Sequence, residues 1–286
     1  MRWHWSYFGF AVALLAHPVG AAEAGAGTRW EAFDYSDYAV VLETYLDESD
    51  MVDYRGLKAK PGPLLSYASA IANLSPDEYR AWDDPAKIAF WINAYNGLTL
   101  KAIIDHYPIK ASFLKSLVYP SNSIRQIDGV WDEIEFKVLR QALTLEQIEH
   151  EILRKKFNEP RIHMALVCAA MGCPPLRTEP YVGGRLDEQL ADQTRRFLGD
   201  PEKFRIDRRR KRVYLSSIFK WFAEDFVETY APAEEIGRFD RETSAVLNFV
   251  ASYLSEADRT YILSGNYRIQ YLDYDWSLNE QRTEQS

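Results

Sequence analysis

The stretch DPAKIAFWINAYNGLTLKAIIDH, residues 84–106, is the clearest helical pattern in the chain. Asp84 is a good N-cap residue, Pro85 suits the first helical position, and Pro108 follows the last helical residue. Apolar side chains occur on nearly every side of this predicted helix. Because such a helix has no face for water, the segment is predicted to be the buried centre of the fold.

Further helices are predicted around this centre. Thr144 and Gln147 have the spacing of a capping box, which opens a helix that runs to about Phe157. Another helix opens at Ser216 or Ser217. Helical spacing of apolar residues also marks three other segments, 57–73, 186–198 and 242–255.

Strand patterns are fewer than helical ones. Residues 161–168 form a short apolar run, 204–215 have the pattern of a hairpin, and apolar side chains alternate with polar ones over 267–271. Strands and helices do not alternate regularly along the chain. We therefore predict an α+β fold: a mostly helical single domain around the central helix, with a small mixed or antiparallel sheet.

The first 24 residues have the three-part pattern of a secretory signal peptide. Arg2 and His4 precede an apolar run, and Pro18 and Gly20 lead into small residues. The apolar run is shorter than the roughly 20 residues that span a bilayer. We predict that residues 1–24 are removed on export and that 25–286 form one periplasmic or secreted domain without integral membrane insertion. A retained N-terminal anchor is the alternative.

The overall charge limits the classes of partner. The chain has 42 acidic and 34 basic residues, a net charge of -8 at pH 7, so nucleic acid and anionic membrane surfaces are poor partners. A basic cluster at 208–212 is predicted to be a solvated turn, with a phosphate or polyanion site as the alternative. The His and Cys residues lack the spacing of a structural zinc site, and neither metal nor cofactor is expected.

The only two cysteines of the chain, Cys168 and Cys173, are five residues apart. In an exported protein this pair is predicted to form a disulfide. Five residues of continuous helix rise about 7.5 Å, so a bridge requires the chain to bend at Gly172. The alternatives are one catalytic thiol or two unpaired thiols. If 161–168 is a strand, alternation puts His163 on the face opposite Cys168.

Two carboxylates occupy positions where a helix should be apolar. Asp225 and Glu149 each fall among apolar residues on a helical wheel. Because an unpaired buried carboxylate is costly, each needs a partner, for which Arg161, His163 and Lys87 are candidates. The pairs are either structural or part of a functional site.

Other polar residues of interest lie on the central helix and on the helix of Glu149. Asn93 and Asn96 are three residues apart on the central helix and share a face. Their amides either satisfy backbone groups or line a pocket. His150 is predicted to point toward solvent.

Five ordered motifs together resemble the family catalogued as domain of unknown function 547. The motifs are FWINAYNGL at 90–98, LEQIEH at 145–150, PRIH at 160–163, GCP at 172–174 and IFKWF at 218–222. The resemblance implies a bacterial protein that is commonly exported, and no particular activity. It spans about residues 80–230.

One functional hypothesis is a binding or accessory module. Its cleft would recognise an envelope peptide, glycan or protein partner, braced by the disulfide. Asn93, Glu149 and Arg161 are the predicted binding residues, and the 40 aromatic side chains of the chain suit either a core or a stacking surface.

The alternative hypothesis is a thiol-dependent hydrolase or acyl-transfer enzyme that acts on amide bonds, with a distant similarity to papain and transglutaminase-like enzymes. Cys173 would be the nucleophile, His163 its base, and Asp225 or Asn96 the group that orients the imidazole. In those enzymes the cysteine begins the central helix, whereas 85–106 contains none.

Overall fold

A computed structural model describes residues 32–281, so the predicted signal peptide lies outside the described residues. These residues form eleven α-helices. In chain order they are α1 (Ser36–Tyr45), α2 (Tyr54–Ala59), α3 (Gly62–Asn73), α4 (Pro76–Arg80), α5 (Asp84–His106), α6 (Arg154–Lys156), α7 (Leu186–Gly199), α8 (Ile218–Trp221), α9 (Val227–Tyr230), α10 (Arg241–Ala251) and α11 (Glu256–Leu263). None of these helices is both long and apolar enough to cross a membrane.

The strands form two small sheets. In one, β1 (Phe136–Val138) pairs antiparallel with β2 (Gln141–Leu143). In the other, β3 (Phe204–Asp207) is antiparallel to β4 (Arg212–Leu215), which pairs in parallel with β5 (Arg268–Tyr271). The hairpin and the late strand predicted from sequence are both present. The mostly helical α+β class is confirmed.

Helix α5 is the buried centre of the fold, as its sequence predicts. Its N-cap is Asp83, whose carboxylate accepts from the backbone N–H of Ala86; the prediction of Asp84 was one residue late because Asp84 is already helical. Gly97 brings α5 against α3, since a Cβ at this position would lie 2.6 Å from the ring of Tyr67. A larger residue there would push the two helices apart.

The predicted strand over 161–168 is wrong. Residues Pro160–Met164 form a 3-10 turn, which the carboxylate of Glu159 caps, and irregular chain follows. The side chain of Asn96 on α5 bonds the backbone of this irregular chain, so its polar groups find partners outside any sheet. The alternation that separated His163 from Cys168 therefore does not apply.

The same turn joins two hydrophobic clusters. Ile162 packs in the cluster around α5, and Met164 packs in the cluster of the C-terminal helices and the three-stranded sheet. Phe219, Phe226 and Phe249 are fully buried in this second cluster. His163 lies between two residues that face different clusters, at the junction of the two halves of the molecule.

The capping box is confirmed. The backbone N–H of Thr144 donates to Gln147 Oε1 at 3.0 Å, and the N–H of Gln147 donates to Thr144 Oγ1 at 3.2 Å. The helix that follows is a π-helix over Gln147–Leu153, continued by α6. Single π-helical turns are rare and occur often beside functional sites.

Candidate functional site

A pocket of about 540 Å³ opens beside the π-helix, α5 and residues 272–281. Aromatic side chains from four parts of the chain form much of its wall: Tyr95, Trp131, Trp221, Phe222, Tyr274 and Trp276. Acidic and basic side chains also line it: Arg125, Asp132, Glu146, Glu149, His150 and His163. We call it the aromatic pocket.

Three side chains of the wall form a contiguous aromatic surface. The ring centroids of Trp221 and Tyr274 are 4.9 Å apart, and those of Tyr274 and Trp276 are 4.6 Å apart. Trp221 is 47% exposed. Arg125 is held over Trp276 at 4.8 Å and over Trp131 at 5.2 Å, so its charge is already stacked within the wall.

Behind the pocket, Asp225 binds Arg154 and His163. Its carboxylate accepts two bonds from Arg154, at 2.6 and 2.8 Å, and lies 2.6 Å from Nε2 of His163. Burial acts to raise the pKa of Asp225, but the hydrogen bonds from Arg154 and His163 outweigh it and hold that pKa well below its ordinary value. The carboxylate is therefore ionised at neutral pH.

Of the two side chains that bind Asp225, one is predicted from the sequence and one is not. The sequence indicates His163 as a candidate partner of Asp225 but does not indicate Arg154, which follows His150 by one helical turn. The other two candidates lie elsewhere: Arg161 pairs with Glu159 and Asp187, and Lys87 lies near Asp84.

Phe222 organises the imidazole and the guanidinium. The ring of His163 stacks on Phe222 with centroids 4.1 Å apart, and the guanidinium carbon of Arg154 is 5.0 Å from the same ring. Arg154 also donates to Nδ1 of His150 at 2.8 Å. His150 is thus half-buried and lines the pocket, which corrects its prediction as a solvent-facing side chain.

Glu149 projects from the π-helix toward Tyr95 of α5. Burial raises the pKa of Tyr95, and the neighbouring Glu149 carboxylate raises it further, so the phenol stays protonated and can donate to that carboxylate. Glu149 is half-buried, as its wheel position predicts, and it lines the pocket. It is the one predicted binding residue that the structure places there.

The two cysteines are paired at disulfide distance, with Cα atoms 6.2 Å apart. The chain turns at Ala169, whose φ is +59°, as well as at Gly172, which packs on the ring of Tyr274. The hydroxyl of Tyr274 lies 3.3 Å from the sulfur of Cys168 and 3.1 Å from that of Cys173. Cys168 lines the aromatic pocket, whereas Cys173 lines a smaller neighbouring cavity.

The two asparagines of α5 act as clamps on the backbone. Asn96 donates to the carbonyl of Ala165 and accepts from the N–H of Val167, at 3.0 and 2.8 Å. Asn93 binds both backbone groups of Tyr181, at 2.7 and 3.0 Å. Each amide bonds the backbone through both its nitrogen and its oxygen, and neither asparagine lines the aromatic pocket, so Asn96 and Asn93 act as backbone clamps rather than as the predicted imidazole-orienting and ligand-binding groups.

The described residues thus define an α+β protein whose two hydrophobic clusters meet beside one aromatic, acid-lined pocket. Residues 79–198 match the family model described as "Protein of unknown function, DUF547", so the predicted family resemblance is confirmed over this segment. The motif at 218–222 lies beyond the match. No curated protein and no solved structure gives a significant match. Within residues 32–281, no three His, Cys, Asp or Glu side chains are grouped to hold a metal ion.

Proposed function

We propose that this protein is an exported binding protein of the cell envelope that holds a peptide or an amino-bearing glycan in the aromatic pocket. The observation that carries the proposal is the combination of a contiguous aromatic surface with three carboxylates in one pocket. Export is proposed from the N-terminal sequence pattern, and N-terminal sequencing of the envelope protein should begin between Ala22 and Gly25.

The chemistry of the pocket favours a ligand with an apolar or sugar face and a cationic group. Trp221, Tyr274 and Trp276 offer flat surfaces on which a sugar ring or an apolar side chain can stack. Asp132, Glu146 and Glu149 line the same pocket and attract an amino group. A volume of about 540 Å³ lies within the usual range for small-ligand pockets.

The state of the reactive side chains favours binding over catalysis. Both cysteines are paired, so neither sulfur is a thiolate. His163 is held by the ionised Asp225 beside Arg154, an arrangement that stabilises the junction between the two hydrophobic clusters without any reacting group.

A matched pair of variants on the π-helix tests the proposal. Glu149 lines the pocket, whereas Glu151, two residues later, is exposed and bound to Lys155. We expect Glu149→Gln to weaken binding of a soluble peptidoglycan stem peptide with a free amino group by about fivefold to tenfold, and Glu151→Gln to leave it unchanged. Calorimetry measures both affinities.

Two further measurements make the test decisive. Trp221→Ala should reduce the change of tryptophan fluorescence on ligand addition and weaken binding, because it removes the most exposed part of the aromatic surface while Trp131 and Trp276 remain. N-acetylation of the peptide should weaken binding to the wild type and have a smaller effect on Glu149→Gln, which keeps Asp132 and Glu146. Equal affinities for both peptides would contradict a role for the carboxylates.

A thiol-dependent enzyme is the second candidate, and one observation supports it. Cys168 and His163 line the same pocket, so a reduced protein would expose a thiol on the wall that carries the imidazole. The role of Cys173 as nucleophile stays a prediction. Thiol alkylation after mild reduction, followed by peptide mapping, distinguishes the two cysteines. Hydrolysis of an amide substrate that depends on reduction would support the enzyme.

A further inference from the structure

A groove with a basic lining, in contrast to the carboxylates of the aromatic pocket, lies beside the three-stranded sheet and has a volume of about 760 Å³. Its basic lining comes from three separate parts of the chain: Arg210, Lys211, Arg212, Arg238 and Arg268. Gly237, Gly265, Asn266 and Tyr267 complete it. We call it the basic groove; its described lining residues are all different from those of the aromatic pocket.

The fold assembles these cations from distant positions. Parallel pairing of β4 with β5 places Arg212 opposite Arg268, and the N–H of Arg268 donates to the carbonyl of Lys211 at 2.9 Å. Arg238 donates from its guanidinium to the carbonyl of Tyr267 at 3.0 Å, which fixes it at the same edge. The basic cluster at 208–212 is a turn, as predicted, but two further arginines converge on it.

Two glycines form a part of the groove without side chains. Gly237 and Gly265 both have positive φ, +62° and +65°, and a Cβ on Gly265 would lie 2.8 Å from the Cα of Gly237. The two backbones therefore touch, and any other residue would hold them apart. The close contact brings together the segments that carry Arg238 and Arg268.

The charge of the groove is largely uncompensated. Among its described lining residues none is acidic, although the whole chain carries a net charge of -8. Arg210 pairs with Asp207 at the rim. Arg208, in contrast, is bound to Asp258 and to the carbonyl of Ala257 outside the groove. Clustered like charges repel each other and cost stability, which is typical of a binding site for the opposite charge.

We propose that the basic groove binds a ligand that carries a phosphate group. Guanidinium groups present pairs of parallel N–H donors that match phosphate oxygens, and Arg238 and Arg268 line the groove from separate segments of the chain. The ligand is either a soluble phosphate ester or a phospholipid headgroup; both offer the same phosphate chemistry. This site is independent of the function proposed for the aromatic pocket.

Two double variants with the same change of charge test the groove. Arg238→Gln with Arg268→Gln removes two groove cations, and Arg208→Gln with Arg209→Gln removes two cations of the neighbouring turn that do not line it. Calorimetry with pyrophosphate and with inorganic phosphate measures soluble ligands. Co-sedimentation with phosphatidylglycerol vesicles, against phosphatidylcholine vesicles, measures lipid.

We expect the groove variant to bind its phosphate ligand at least about tenfold more weakly than the wild type, and the control variant to remain within about twofold. The groove variant should also melt at a higher temperature than the wild type at low salt without ligand, because a repulsion is removed. This second readout shows that the variant is folded.

Each outcome decides the proposal. Groove-dependent binding of pyrophosphate or inorganic phosphate without binding of vesicles assigns a soluble phosphate ligand, and groove-dependent binding of anionic vesicles alone assigns a lipid headgroup. Saturable binding that neither double variant weakens, binding that both weaken equally, or no binding of any of these probes would overturn it.

Discussion

Asp225 holds together the charged groups behind the aromatic pocket. Its two oxygens accept from Arg154 in a bidentate geometry, and one of them also binds His163. Its side chain is 18% exposed, so water screens these contacts only in part. The depressed pKa of Asp225 means that the folded state favours the ionised carboxylate, which contributes stability at neutral pH.

Removing this carboxylate should destabilise the protein in a pH-dependent way. Asp225→Ala should lower the free energy of unfolding by about 2 to 3 kcal/mol at pH 7, less than for a fully buried pair because Arg154 also binds Glu224. Because the folded pKa lies below the unfolded value near 3.9, the difference from wild type should be full above about pH 5 and shrink below about pH 4. Urea unfolding at several pH values measures it.

Glu224→Gln is the matched control. Glu224 binds the same guanidinium but is 71% exposed, so its removal should cost less than about 0.5 kcal/mol. A similar cost for both variants, or a cost for Asp225→Ala that does not change with pH, would show that the cluster does not depend on the Asp225 charge.

Helix α5 holds two loops through the side-chain amides of Asn93 and Asn96. Asn96 holds Ala165 and Val167, shortly after His163, whereas Asn93 holds Tyr181, which does not line the pocket. Asn93→Ala and Asn96→Ala should each cost about 2 to 4 kcal/mol, because each leaves a buried N–H and a carbonyl without a partner. Asn96→Ala should in addition weaken binding in the aromatic pocket.

Comparison of Asn93→Ala with Asn96→Ala separates the effect on stability from the effect on ligand binding. Denaturant unfolding should give similar losses for the two variants, and calorimetry with the stem peptide should show weaker binding for Asn96→Ala alone. Weakened binding in both variants would mean that α5 as a whole, rather than the Asn96 clamp, positions the pocket.

The sequence correctly predicted the elements that are stabilised by residues close to one another in the chain. The capping box at Thr144, the hairpin at 204–215 and the apolar α5 each depend on residues close in the chain. The segment 161–168 was misassigned because its backbone is satisfied by Asn96, about 70 residues earlier. The pocket could not be predicted because Trp131, Trp221 and Trp276 meet only in the folded chain.

The loop between the cysteines is a third element whose role can be tested. A bridge across so short a loop contributes roughly 2 kcal/mol in the chain-entropy model. Since either replacement breaks the same bond, Cys168→Ser and Cys173→Ser should lower the melting temperature by similar amounts. The native wild type should resist thiol-directed labelling. Unequal shifts, together with labelling of one cysteine in the wild type, would contradict a structural bridge.

Residues 272–281 connect distant parts of the fold. Tyr274 and Trp276 supply two of the three side chains of the contiguous aromatic surface. Further on, Leu278 donates from its N–H to the carbonyl of Asn122, and Asn279 binds the loop of Ala169. The family match ends at residue 198, so the pocket requires a part of the chain beyond the matched segment.

A buried hydrogen bond ties residues 272–281 to the N-terminal part of the described chain. Tyr54 donates to Asn279 Oδ1 at 2.7 Å, and both side chains are buried. Tyr54→Phe and Asn279→Ala should each cost about 1 to 3 kcal/mol, since each leaves a buried polar group unpaired. The double variant should cost less than their sum, because the bond can be lost only once.

Loss of this bond should also affect ligand binding, because residues 272–281 include two side chains of the aromatic pocket. Loosening Asn279 should increase hydrogen exchange at Met171 and Gly172, whose N–H groups donate to residues 277 and 275, and should weaken ligand binding although neither variant alters the pocket wall. Hydrogen-exchange mass spectrometry and calorimetry measure the two effects on the same proteins. Strictly additive costs with unchanged exchange and affinity would show that residues 272–281 hold the pocket through the contacts of Tyr274 and Trp276 alone.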